Sequence, residues 1–210
     1  MNVKQAYAQW AEQYDTNLNK TRDLEAISLR KTLEPITATN CLEIGCGTGK
    51  NTQWLAGKTQ HLTAVDLTEE MLEKAKEKVQ AAHVVFVAAD ITQPWDFCSK
   101  TYDLVTFSLV LEHIEDIHTV FKKAAMVTYP GALVYVGELH PFRQYGGSKA
   151  RFETEEGTTV VTCFNHHFSE FTSAAAEAGF AIEAVNEFFD DDDRSKVPRI
   201  LTLLFRKVES

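Results

Sequence analysis

Hydrophobic positions recur along this chain with two different periods. Tyr7, Trp10, Ala11 and Tyr14 return at three- and four-residue spacing, one face of a helix. Leu24, Ile27 and Leu33 mark a second helix, capped by Thr21 or Asp23 and stopped at Pro35. From residue 40 onward, short apolar runs alternate with amphipathic stretches. The runs predict strands at 40–44, 61–66, 84–88, 102–107 and 132–137; the stretches predict helices at 50–57, 68–81, 117–127 and 169–178. Such alternation builds a parallel sheet covered by helices on both faces. Two further strands, Ala181 to Phe188 and Arg199 to Phe205, follow without a helix between them and read as a hairpin joined by a long acidic loop. Segment 138–168 carries glycines, aromatics and histidines but too little pattern for a core element.

Composition narrows the class. At 210 residues and 23.6 kDa the chain fits one domain with a proper core. A net charge of −9 argues against a general nucleic-acid binder, which carries a basic face. No apolar run reaches the roughly 18 residues of a membrane span, and the polar start, Met1 to Tyr7, has no signal-peptide core. The expectation is a cytoplasmic protein. Cys41, Cys46, Cys98 and Cys163 form no C-x-x-C pair and read as free thiols, with no metal site expected.

The chemistry concentrates at Leu42-Glu43-Ile44-Gly45-Cys46-Gly47-Thr48-Gly49 and at Asp66. A buried strand leads into alternating glycines, which allow a sharp turn and let a ligand lie against the main chain. A helix then opens with its amides toward that ligand. Asp66 ends the next strand, where a carboxylate can accept from ribose hydroxyls. The spacing is G-x-G-x-G rather than G-x-G-x-x-G, and Glu43 is a poor neighbour for a pyrophosphate but a good one for a cationic amino-acid moiety. A nucleoside-bearing cofactor is the natural reading.

These residues resemble the class I S-adenosylmethionine-dependent methyltransferases of small-molecule type. Supporting pieces are Val65-Asp66-Leu67, Ala89-Asp90-Ile91, Tyr102-Asp103-Leu104-Val105, Leu109 to Ile114, Pro130 to Leu133 and Ala178-Gly179-Phe180. The resemblance implies one domain over 1–210: a Rossmann-like seven-stranded α/β sandwich with an antiparallel C-terminal hairpin, a helical lid at 1–38 and an active-site insertion at 138–168. It implies S-adenosyl-L-methionine as cofactor. Gly45, Cys46 and Gly47 would hold its methionine part, with Glu43 favouring the ammonium group or the loop geometry. Asp66 would take the ribose, Leu67 would lie on the adenine, and Asp90 and Ile91 would bind the adenine edge. Ser108 would present its backbone carbonyl. Tyr14 and Arg22 look like the lid, the aromatic facing the sulfonium and the guanidinium pairing with the cofactor carboxylate.

The acceptor side is less defined. His140, after the fifth strand, has the ordinary pKa range for taking a proton near neutrality. Arg143 and Arg151 are candidates for an acidic substrate group. One of His166 and His167 is expected to face the pocket, with Phe164 and Phe168. Asp190–Asp193 reads as a solvated turn. The expected function is methyl transfer to a small molecule, at oxygen. Alternatives are an RNA or protein methyltransferase, weakened by the acidic charge and by Phe107-Ser108-Leu109-Val110 where an N/D-P-P-Y/F motif would stand, and a non-catalytic cofactor-binding partner subunit.

Overall fold

Parallel pairing begins with β1 (Ala38–Ile44), which is flanked by β2 (Thr59–Asp66) on one side and β4 (Tyr102–Ser108) on the other. β3 (Val84–Ala88) extends the sheet beyond β2, and β5 (Thr128–Leu139) extends it beyond β4, both parallel. The antiparallel strands β9 (Ile200–Lys207) and β8 (Phe180–Phe188) complete the order β3-β2-β1-β4-β5-β9-β8. The computed structural model describes residues 3–11, 14–16, 18–154 and 157–209, without the side chains of 151–154 and 157–159.

Helices cover both faces. α2 (Lys20–Leu33) and α3 (Lys50–Ala56) pack Leu29, Leu33 and Leu55 against Cys41, Leu62, Leu104, Tyr135 and Leu204. On the other face, α5 (Ile117–Met126) and α7 (Phe168–Glu177) bury Val120, Phe121 and Phe171 against Leu42, Ile44, Val105, Phe107 and Phe205. Neighbouring strand residues thus serve opposite faces, Cys41 one and Leu42 the other, as the pleat requires. A sheet covered twice therefore reads as near-continuous apolar runs. α4 (Glu69–Lys78) follows β2, and the short α1 (Val3–Trp10) packs Ala6 and Trp10 with Val161.

Two expectations shift. The cap of α2 is Asn19, whose Oδ1 accepts from the backbone N–H groups of Thr21 and Arg22, both at 3.1 Å, so neither Thr21 nor Asp23 caps. Segment 138–168 is more ordered than its pattern announced: β5 runs to Leu139, α6 (Pro141–Tyr145) follows, and β6 (Arg151–Thr154) pairs with β7 (Gly157–Val160) as a separate hairpin. Among the described residues, no helix is long and apolar enough to cross a membrane.

Strand order reverses between β1 and β4, whose carboxyl ends diverge into a crevice where open α/β sheets bind ligands.

Candidate active site

A cavity of about 450 Å³ occupies this crevice. Gly45, Gly47, Asp66, Leu67, Asp90, Ile91 and Ser108 line it, with Tyr14 above. The three loop glycines all hold positive φ, but their surroundings differ. A Cβ on Gly45 would meet Val110 Cγ2 at 2.8 Å, and one on Gly49 would meet the Cα of Ala75 in α4 at 3.1 Å. Among the described residues, only Tyr14 comes within 4 Å of a Cβ on Gly47, at 3.9 Å. The outer glycines therefore let the loop pack against β4's exit and α4, whereas Gly47 leaves an open cradle.

Asp66 organises that cradle. Gly47 N–H donates to its Oδ2 at 2.9 Å; the N–H and hydroxyl of Thr68 donate to Oδ1 at 3.0 and 3.1 Å. Burial pushes its carboxyl above the usual range. Asp90 accepts at Oδ1 from the N–H and hydroxyl of Thr92, at 2.8 and 2.7 Å, closing a turn that sets the outer rim. Leu109, after Ser108, holds a φ of 54°, a conformation unfavourable for a leucine, fixed by its N–H donating to Gly137 O at 2.8 Å. Glu138 accepts at Oε1 from the N–H groups of Val110 and Leu111, capping the 3₁₀ turn Leu111–His113 that closes the cavity floor.

The N-terminal segment roofs the site. Asp15 ties it to the glycine loop, accepting from the Thr48 hydroxyl at 2.7 Å and from Lys78 Nζ at 2.8 Å. The Arg22 guanidinium stacks 4.0 Å from the Tyr14 ring centre and donates to the Tyr14 carbonyl. Tyr7, which the sequence places only on one face of a helix, reaches the site: its hydroxyl lies 2.8 Å from His113 Nε2. His113 Nδ1 lies 2.9 Å from the Thr162 carbonyl, which can only accept. Nδ1 therefore carries the proton and Nε2 accepts from Tyr7. Burial lowers the His113 pKa, favouring this neutral form. The signal was present in the spacing of Tyr7 and in the Glu112-His113 pair, but helical periodicity cannot separate a core tyrosine from a hydroxyl aimed at a distant histidine.

Glu112, His113 and Cys163 bring ligand-type atoms within 4.8 Å of one another. Burial pushes the Glu112 carboxyl up to about 7 and the Cys163 thiol up to about 12. With both His113 nitrogens engaged, the trio reads as a hydrogen-bonding cluster around the turn.

Several expected site residues stand elsewhere. His140 is buried as the N-cap of α6; its Nδ1 accepts from Phe142 N–H at 3.2 Å and its Nε2 lies 3.1 Å from Glu187 Oε1, away from the cavity. A ring so engaged is a brace. Arg143 donates to Asp190 Oδ2 at 2.9 Å and to the Pro198 carbonyl at 3.3 Å. Asp190 is thus no solvated turn residue: Arg199 also forks onto it, and the Arg199 guanidinium holds its carboxyl below the usual range. The Arg151 side chain lies outside the described residues. His166 is buried, with Nε2 donating to the Ile114 carbonyl and Nδ1 facing Glu170, both at 2.8 Å; His167 is exposed beside Tyr145. These two histidines sit in an irregular segment, and neither they nor Phe164 and Phe168 line the cavity. Cys46 packs with Ala64 and Leu72 beneath the loop. Glu43 is buried behind it, its carboxyl pushed up to about 8 by burial, outside the cavity lining. Arg22 borders a second cavity rather than the first.

The donor set suits a nucleoside bearing an amino acid. Asp66 supplies a carboxylate at the cavity wall, the Gly47 cradle is space that a Cβ would fill, and the aromatic ring of Tyr14 roofs it. Comparisons with known proteins agree. Residues 42–136 match the family described as a methyltransferase domain. Over 97 residues the chain is 37% identical to a malonyl-[acyl-carrier protein] O-methyltransferase of Priestia megaterium, covering 45% of this chain and 35% of that one. It is 28% identical over 222 residues to an uncharacterized methyltransferase of Emericella nidulans, covering 87% and 77%. The chain thus spans about a third of the first relative and three quarters of the second. The solved DhpI–SAH complex shares the fold, with a TM-score of 0.76 at 21% identity over 97% of this chain and 94% of that one.

Proposed function

We propose that this chain, whose residues 42–136 match a methyltransferase domain, is a class I S-adenosylmethionine-dependent methyltransferase that binds S-adenosylmethionine in the crevice and methylates an oxygen of a small molecule. The observation that carries this is the open Gly47 cradle facing the Asp66 carboxylate at the strand-order reversal. When bound, the cofactor supplies a methyl group already activated by a positive sulfur. The protein's part is to bind, orient and manage one proton.

Asp66 and the rim at Asp90 hold the nucleoside end. Tyr14 borders the cavity and offers an aromatic ring to a cation there, while Arg22, stacked on the same ring, borders the neighbouring hollow. Tyr7 borders both this cavity and its neighbour, where an acceptor would lie. An acceptor hydroxyl gives its proton to the Tyr7 oxygen as the Tyr7 proton passes to His113 Nε2. The resulting imidazolium is 3.9 Å from Glu112 Oε1. This route suits a hydroxyl nucleophile, which must lose a proton on methylation. The remaining gain comes from holding the reactants in line, worth up to about 7–11 kcal/mol in favourable systems.

Calorimetric titration with S-adenosylhomocysteine tests the reading. One-to-one binding, with no response to nicotinamide dinucleotides, is expected. Tight dinucleotide binding without a response to S-adenosylhomocysteine would overturn it.

A further inference from the structure

A second cavity, of about 540 Å³, shares Tyr7, Tyr14 and Leu109 with the cofactor crevice. Its far wall differs in character. Lys20 enters from the start of α2, Lys149 from the loop after α6, and Arg199 from the segment before β9. These three residues are distant in sequence, and the fold brings their cations to one hollow of a chain whose net charge is −9.

Among the described residues, the balance there stays positive after pairing. Arg199 donates to both oxygens of Asp190 and, through Nη1, to the Thr21 hydroxyl at 3.1 Å, which fixes it against the lid helix. Arg143 also donates to Asp190. One carboxylate thus serves two guanidinium groups and leaves one positive charge over. Among the described residues, Lys20 and Lys149 close no ion pair with a carboxylate within 4 Å. Among the described residues of the lining, the acid is Glu112, which is buried and whose carboxyl is pushed up to about 7 by burial. A half-enclosed hollow with a surplus of cations concentrates anions and strengthens each contact relative to open water.

We propose that this hollow holds the anionic group, a phosphate or a carboxylate, of the methyl acceptor, bound by Lys20, Lys149 and Arg199. This rests on the methyltransferase reading and adds the acceptor's class: a small molecule with one anionic end in the hollow and its nucleophilic oxygen at Tyr7. Arg143, a cation expected from sequence, is engaged by Asp190, and the three cations proposed here meet only in the folded chain.

The test titrates inorganic phosphate, malonate and choline, separately, into the protein with and without saturating S-adenosylhomocysteine, read by calorimetry and by protein NMR shifts. Phosphate or malonate should bind and weaken as salt rises; choline should not. The phosphate and malonate arms separate a phosphorylated from a carboxylated acceptor. In the Lys20→Ala/Lys149→Ala double variant, anion affinity should fall by about tenfold or more, while S-adenosylhomocysteine affinity stays within about threefold. The Lys20→Arg/Lys149→Arg pair should retain anion binding, and its folding, checked by thermal melting, serves as control. Anion binding unchanged in the alanine pair, or preference for choline, would overturn the proposal. Failure of S-adenosylhomocysteine to bind would strike the cofactor reading instead, and the titration of the free protein would still decide the subsite.

Discussion

Alanine substitutions at Gly47 and Gly49 separate two roles that their shared motif conceals. Both residues hold positive φ, 53° and 81°, so either alanine carries roughly 1–2 kcal/mol of backbone strain. Among the described residues, the new methyl group of Gly47→Ala meets only Tyr14, at 3.9 Å, so strain dominates its stability cost. For a chain of this size that lowers the melting temperature by about 2–8 °C. The methyl group of Gly49→Ala would press to 3.1 Å from the Cα of Ala75, where backbone cannot give way easily. Overpacking adds about 1–3 kcal/mol, for a total fall of roughly 4–20 °C. Ligand binding should show the reverse order. Gly47→Ala fills the cradle and should weaken S-adenosylhomocysteine by about a hundredfold or more, the scale of a lost close approach plus distortion of the Asp66 contact. Gly49→Ala, once folded, should bind within about fivefold of the parent, since its methyl group faces α4. Calorimetry and thermal melting on the same preparations provide both readouts. Parent-like binding by Gly47→Ala, or identical profiles for the two variants, would refute the division of roles.

The other expectations are briefer. Asp66→Ala should weaken S-adenosylhomocysteine by about 1.5–3 kcal/mol, roughly 10- to 150-fold in Kd by calorimetry, and unchanged affinity would remove the ribose assignment. Tyr7→Phe and His113→Gln should each lower turnover by about 10²–10⁴ with cofactor affinity nearly intact. Since burial depresses the His113 pKa below 6.5, the parent's rate should fall at acid pH with its inflection below that value, and His113→Gln should lose the inflection. Stability should depend on pH through Glu25, Glu43 and Glu112, whose burial pushes their carboxyls up to about 7, 8 and 7 from an ordinary 4.5. The folded state holds protons that the unfolded chain releases, so this contribution is full below about pH 4.5 and is lost as pH rises through about 7–8. The melting temperature should therefore drop between pH 5 and pH 8, and Glu43→Gln should flatten that drop; a rise over the same range would contradict the burial of these acids.

The central strands were legible because both faces of β1, β4, β5 and β9 are buried. They became apolar runs, and the glycine loop with Asp66 marked the switch point. Boundaries failed where local chemistry decided them: Asn19 took the α2 cap because its side chain, not those of Thr21 or Asp23, reaches the first free amides. The acceptor side was mostly illegible. His140 and Arg143 stand near the end of β5 in sequence, but their partners, Glu187 and Asp190, lie about 47 residues away and turn them into braces. The residues that do meet at the second cavity come from α2, the loop after α6 and the approach to β9, a juxtaposition that no spacing rule encodes. Tyr7 and His113 are 106 positions apart, and only the draping of the Thr162 carbonyl over the imidazole fixes which nitrogen faces the tyrosine.

The central claim is that this chain moves a methyl group to a small molecule, and following the label tests it most directly. The protein is incubated with methyl-labelled S-adenosylmethionine and a cell extract separated into RNA, protein and low-mass fractions, with Asp66→Ala as control. Label accumulating in the low-mass fraction, retained on an anion-exchange resin and absent with Asp66→Ala, is the predicted result. Label confined to RNA or protein, or no transfer to any fraction by protein that binds S-adenosylhomocysteine, would contradict it.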